Sequence, residues 1–190
     1  MRTALRQIPN LLTLARIALV PFVGIYIWKR EYIYAAALFA IAGFTDALDG
    51  WLARKMNASS RFGLLADPIA DKLLLSTMFV VLAVDRVLPW WFSGLVLGRD
   101  VLILLMAVAG LLFTRHRGFP PTIWGKLSTL AQILYLLVML LNRGGLDAQG
   151  VEIDIEKGLY WTVIALTAFS GLHYMWTALR LLRTPALAET

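Results

Sequence analysis

Six apolar stretches divide this chain, at roughly 8–28, 32–52, 63–84, 90–113, 123–142 and 158–180. Each matches the ~20 residues that a helix needs to cross the ~30 Å hydrocarbon core of a bilayer. Hydrophobic residues fill 59% of the 190 positions and charged residues only 16%, more apolar surface than one water-soluble domain of this length can bury. The expected fold is therefore an all-α integral membrane protein, one domain over 1–190, with six transmembrane helices around a polar cavity open to the cytoplasmic interface. The first stretch superficially resembles a signal peptide. Pro9, Asn10 and Arg16 interrupt its apolar core and no small-residue cleavage site follows, so it is read as a retained span. Cysteine is absent, which excludes disulfides and thiolate metal sites.

The separators between these stretches alternate in charge. Arg2, Arg6, Arg54, Lys55, Arg61, Arg115, Arg117, Arg180 and Arg183 fall on the side of the N-terminus, with Glu189 as the one acid. Lys29, Arg30, Arg86, Arg143 and Lys157 on the other side are offset by Glu31, Asp85, Asp147, Glu152, Asp154 and Glu156. The positive-inside rule then places both termini in the cytoplasm, as an even number of spans requires. The localisation expected is the cell (inner) membrane. Trp28, Trp51, Trp90 and Trp91 fall near helix ends, as interfacial anchors do.

Against this background stands "TDALDGWLARKMNASSRFGLLADPIADK", Thr45 to Lys72, with aspartates at 46, 49, 67 and 71. Spacings of three and four put each pair on one face of a helix. The apolar run before Asp46 and the apolar run after Lys72 are each twelve residues long, about 18 Å of helix, short of a full crossing. Two antiparallel helices joined by the Arg54–Arg61 loop bring all four carboxylates to one depth, near the cytoplasmic interface. Four anions so close repel one another; protonating some would relieve this, and so would two divalent cations, which neutralise the set in charge. Hard oxygen ligands suit Mg²⁺ or Mn²⁺, and a metal pair is the clamp used in phosphoryl chemistry. Gly50, Ala53 and Gly63 either permit close helix packing or let a ligand approach the backbone.

Written out, the stretch is Asp46-x2-Asp49-Gly50-x2-Ala53-Arg54-x8-Gly63-x3-Asp67-x3-Asp71. Its eight fixed residues resemble the signature of the CDP-alcohol phosphotransferases, membrane enzymes of phospholipid head-group synthesis. The six-helix layout and the opening "IPNLLTLAR" carry the likeness over most of the chain. The resemblance implies that a CDP-linked lipid binds on a pair of Mg²⁺ ions, that an acceptor hydroxyl attacks the β-phosphorus, and that CMP leaves. It implies Asp46, Asp49, Asp67 and Asp71 as metal ligands, with Asp71 also the general base. Asn10, Thr13, Gly50, Ala53, Arg54, Ser60 and Gly63 match donor-binding positions. A homodimer is implied by the resemblance alone.

Arg16, Arg99 and Lys126 lie inside expected spans, where an unpaired cation is costly. Arg16 is near enough to a helix end to snorkel, and Arg99 has Asp100 beside it as a structural partner. The favoured reading assigns all three to a phosphate on the acceptor, which argues for glycerol 3-phosphate or phosphatidylglycerol over plain alcohols. "PNLLTLAR", "DPIADKLL" and "GKLSTLAQ" look like the phosphatidylglycerophosphate synthase branch and the related cardiolipin synthase branch. Asp100 after Arg99 departs from the first, which more often has glutamate there, and leans to the second; the myo-inositol phosphate enzymes of the family match less well. The implied donor is CDP-diacylglycerol; the partners expected are that lipid, the acceptor and the bilayer, and no nucleic acid. Two rivals are an intramembrane Mg²⁺-dependent prenyltransferase and a small cation transporter. The first generally has more spans and lacks the fixed Gly50, Ala53 and Arg54; the second should carry polar groups through both halves of the membrane.

Overall fold

A computed structural model describes residues 8–56, 61–113, 122–145 and 151–183. Among these the chain forms six α-helices and no strand: α1 (Ile8–Trp28), α2 (Tyr32–Met56), α3 (Arg61–Val84), α4 (Trp90–Phe113), α5 (Ile123–Arg143) and α6 (Val151–Arg183). Five of the six follow the apolar stretches within a few residues. The exception is α6, expected from about 158, which starts at Val151. Asp154 stands near its beginning, where the helix dipole favours negative charge. Polar composition there marked a loop in the sequence but suits a helix start.

By length and composition one described helix, α5, is long and apolar enough to cross a membrane, while Ala18–Trp28, Tyr32–Thr45 and Lys72–Val84 are shorter apolar segments. The chain divides into two units, residues 1–89 with 136–153 and residues 90–135 with 154–190.

In the first unit α1 packs against both α2 and α3. Among its described residues the most deeply buried are apolar: Val23, Ile27, Phe39, Phe79, Leu82 and Met139 are almost completely buried. Small residues allow the close approach. Ala35 and Ala42 are fully buried, and a Cβ at Gly24 would sit 3.7 Å from Val81 Cγ2.

The turns at one end of this unit are tightly built. After α1, the Arg30 N–H donates to Ile27 O and the Glu31 N–H to Tyr26 O, both at 2.9 Å. After α3, the Arg86 N–H donates to Ala83 O at 3.1 Å and the Val87 N–H to Leu82 O at 2.9 Å. Each pair is a Schellman closure, which needs a left-handed residue at its centre. Arginine takes that place in both, with φ 60° at Arg30 and 58° at Arg86. Glycine does so after α5, at Gly145 with φ 83°. Beside it, the Cα of Gly144 lies so near Ile33 that a Cβ there would collide with the isoleucine side chain.

The second unit adds polar groups to its apolar interior. Ser93, Arg99, Asp100, Ser128, Gln132, Thr167 and Ser170 are buried inside it, while Leu104, Leu105, Leu130 and Leu172 are exposed. The first unit has no such polar interior among its described residues. Hydroxyls outside the seam turn back on their own helices: Thr162 donates to Gly158 O at 2.7 Å and Thr177 to His173 O at 2.8 Å. Apolar helices satisfy such groups in this way.

Candidate active site

The signature residues divide between two continuous helices. Asp46, Asp49, Gly50, Ala53 and Arg54 fall within α2, and Gly63, Asp67 and Asp71 within α3. Asn10, Thr13 and Arg16 fall within α1, which packs on both of these helices. The backbone is helical through 46–49 and 67–71, so the spacings of three and four are helical neighbours, as the sequence reading requires. The side chains of all these residues, and Ser60 altogether, lie outside the described residues. Among the described residues no three His, Asp or Glu side chains come together; the aspartate quartet is the donor set a metal would use.

Arg99 and Lys126, expected on the acceptor side, both belong to the second unit. Arg99 is 6% exposed and Asp100 8%. Arg99 Nη1 donates to Asp100 Oδ1 at 2.6 Å, and Nη2 donates to Gly125 O and to Ser170 Oγ, each at 3.1 Å. Its Nε is buried with no hydrogen-bond partner. The structural partner suggested by the sequence, Asp100, is thus present, and one donor of the guanidinium is left over. Lys126 is exposed, one turn into α5.

The start of α5 is held from three sides. Thr122 caps it: its Oγ1 accepts the Gly125 N–H at 3.2 Å and its carbonyl accepts the Lys126 N–H at 3.2 Å, the usual work of an N-cap threonine. The Thr122 N–H in turn donates to Tyr174 Oη on α6 at 3.0 Å. Glycine at 125 makes the approach feasible, since a Cβ there would lie 3.1 Å from Tyr174 Oη, 3.2 Å from Arg99 Nη2 and 3.4 Å from Thr122 Oγ1.

The polar seam continues along α5 and α6. Ser128 Oγ and Thr167 Oγ1 are 3.2 Å apart, and Gln132 Nε2 donates to both, at 3.3 and 3.4 Å. Gln132 Oε1 is buried without a partner. An aromatic cluster follows, with Phe92 stacked on Tyr160 at 4.6 Å between centroids and edge-on to Tyr135 at 5.5 Å. The sequence reading missed Ser128, Gln132, Thr167, Ser170 and Tyr174. Their signal was available: 125, 128, 132 and 135 on α5, and 163, 167, 170 and 174 on α6, are spaced by three and four, so each set forms one stripe.

Comparison with known proteins follows the same lines. The family model for CDP-alcohol phosphatidyltransferase matches residues 6–179. The chain is 33% identical over 192 residues to the CDP-diacylglycerol–glycerol-3-phosphate 3-phosphatidyltransferase of Pseudomonas fluorescens, covering 96% of this chain and 95% of that protein. It is 31% identical over 194 residues to the Bacillus subtilis protein of the same name, covering 92% and 97%. It is also 33% identical over 181 residues to a probable cardiolipin synthase (CMP-forming) of Drosophila melanogaster, covering 92% of this chain. The chain spans 54% of the length of that fly protein and 61% of the rat cardiolipin synthase it also matches. The match along nearly the whole chain, with the aspartate signature on two helices, means that this protein belongs to the CDP-alcohol phosphatidyltransferase family.

Proposed function

We propose that this protein transfers a phosphatidyl group from CDP-diacylglycerol to glycerol 3-phosphate, giving phosphatidylglycerophosphate and CMP. The single observation that carries the reading is the complete aspartate signature, Asp46, Asp49, Asp67 and Asp71, on two unbroken helices. The family uses divalent metal ions, and four carboxylates with no cysteine in the chain are a hard donor set that fits Mg²⁺. Asp46, Asp49, Asp67 and Asp71 would hold two such ions. When bound, they supply charge neutralisation of the pyrophosphate and of the leaving phosphate. Asp71 accepts the proton of the acceptor hydroxyl as that oxygen bonds to the β-phosphorus and the bond to CMP breaks. Arg54 meets a donor phosphate oxygen, and Asn10, Thr13, Gly50, Ala53, Ser60 and Gly63 line the nucleotide side.

On the acceptor side, Lys126, Arg99 and Arg16 bind the phosphate that glycerol 3-phosphate carries. The support is chemical: a buried donor without a partner is uncommon, and Arg99 Nε is one. The relatives named for glycerol 3-phosphate transfer match over 95% and 97% of their own lengths. The fly cardiolipin synthase, at the same 33% identity as the Pseudomonas protein, keeps phosphatidylglycerol as the second acceptor.

The protein lies in the membrane with six spans and with both termini and the metal site on the cytoplasmic side. Support comes from the second unit, where Ser128, Gln132, Thr167 and Ser170 are buried while Leu104, Leu105, Leu130 and Leu172 are exposed. Intramembrane polar groups face inward in this way, and large apolar groups face lipid. Trp161 and Trp176 on α6 are 67% and 55% exposed, as amphipathic rings facing a membrane or its interface are. Buried small residues such as Ala35 and Ala42 suit helix packing in lipid. The second copy implied by the family resemblance completes the proposed assembly.

The test is CMP release from the purified chain in detergent with CDP-diacylglycerol, Mg²⁺ and one acceptor at a time. Glycerol 3-phosphate should give the fastest release. Release with phosphatidylglycerol alone would reassign the acceptor, and none with glycerol 3-phosphate, phosphatidylglycerol or inositol phosphate would remove the reading altogether.

A further inference from the structure

We propose that Tyr174 is a positioning residue for the acceptor, acting through the first turn of α5 on Lys126. The inference rests on the assignment of Lys126 to the acceptor phosphate. Tyr174 touches no reacting atom in this account; it fixes the backbone from which Lys126 extends.

The chain of bonds is short. Tyr174, 6% exposed on α6, accepts the Thr122 N–H at 3.0 Å, and Thr122 O accepts the Lys126 N–H at 3.2 Å. One residue therefore separates the phenol from the lysine. Thr122 Oγ1 closes the same turn on the Gly125 N–H at 3.2 Å. Beside the same glycine, Arg99 Nη2 holds Gly125 O at 3.1 Å and is itself anchored on Ser170 Oγ at 3.1 Å. Groups from α4 and α6 thus converge on Gly125, the residue before Lys126.

Lysine needs such help more than arginine does. Its ammonium sits on a flexible four-carbon stem with no preferred plane, so its reach to a phosphate is set by where the backbone starts. Displacement of a binding group by about 1 Å can cost up to 100-fold in rate. A free helix start would fray, because its first N–H groups have no partner within the helix. The Thr122 cap and the Tyr174 hydroxyl suppress that fraying at the one turn that carries the cation. The same contacts explain why residue 125 is glycine: three polar atoms lie within 3.4 Å of where its Cβ would stand.

The experiment compares the full-length parent, Tyr174→Phe and Thr122→Ala in detergent, by steady-state CMP release with each substrate varied in turn. Tyr34→Phe, which removes a phenol at a 60% exposed position in the first unit, is the control. The account expects Tyr174→Phe and Thr122→Ala to raise the KM for glycerol 3-phosphate by about three- to tenfold, as loss of one hydrogen bond would. The KM for CDP-diacylglycerol and kcat should stay near those of the parent and of Tyr34→Phe, while Tm falls slightly, more in Thr122→Ala, which loses the cap. An unchanged acceptor KM in Tyr174→Phe overturns the inference while the reaction stands. So does an equal rise in both KM values with a fall in Tm, which would make Tyr174 a stability residue only. Absence of CMP release from the parent removes the reaction, and this inference with it.

Discussion

Arg99 and Asp100, neighbours in sequence on α4, form a buried ion pair with Nη1 and Oδ1 2.6 Å apart. Successive helical residues point about 100° apart, so the arginine side chain folds back to reach its neighbour. It then spans to Gly125 O and Ser170 Oγ, joining α4, α5 and α6 of one unit. Removing one partner of a buried pair leaves an uncompensated charge, at about 3–5 kcal/mol. Asp100→Ala should therefore lower Tm in detergent strongly, and Asp100→Glu much less. Equal Tm values for parent and Asp100→Ala would show that the pair contributes nothing to stability.

The same arginine bears on substrate use. Arg99→Ala or Lys126→Ala is expected to raise the acceptor KM more than the donor KM, because both are assigned to the acceptor phosphate. Separate titration of glycerol 3-phosphate and CDP-diacylglycerol checks this, and the reverse order would move them to the nucleotide side.

Asp71→Asn should abolish turnover and keep measurable binding of CDP-diacylglycerol. The amide cannot take the acceptor proton, whereas three carboxylates remain to hold metal. Steady-state rates and donor binding in detergent read the two effects apart. A normal rate would remove Asp71 as the base.

How much of this was legible beforehand depends on which residues carried the signal. Apolar length located α1, α4 and the start of α5 within a residue, because long uninterrupted apolar runs there coincide with helices. It misplaced the start of α6 because "VEIDIEK" is polar yet helical; composition marks where an apolar run ends, not where a helix ends. Asp46 to Asp71 were read as two helical pairs, and both helices are continuous there. Arg99 stood out as a charge in an apolar run, but its bonds to Gly125 O and Ser170 Oγ join residues 26 and 71 positions away. No local pattern encodes such a meeting. Ser128, Gln132 and Thr167 are individually unremarkable polar residues and gain meaning only as facing stripes.

The turns of the first unit give a stability prediction independent of catalysis. Arg86 sits at φ 58° in a Schellman closure, a conformation costing a non-glycine residue roughly 1–2 kcal/mol. Arg86→Gly should raise Tm, the gain reduced by the greater flexibility of glycine in the unfolded chain. At Gly144 the sign reverses. Gly144→Ala places a methyl into Ile33, an overpacking worth about 1–3 kcal/mol, and Ile33→Ala in the same chain should recover part of it. Thermal unfolding of the two single variants and the double variant checks both statements; a Tm for Gly144→Ala equal to the parent would contradict the close approach.

The most direct measurement concerns the aspartates on α2 and α3. Mn²⁺ binding to the purified chain, followed by electron paramagnetic resonance in detergent with CDP-diacylglycerol present, counts the divalent ions that the site holds. The account predicts two per chain, lost when Asp46 and Asp67 are both changed to Asn. Equal Mn²⁺ binding by the parent and that double variant, or none by the parent, would contradict it.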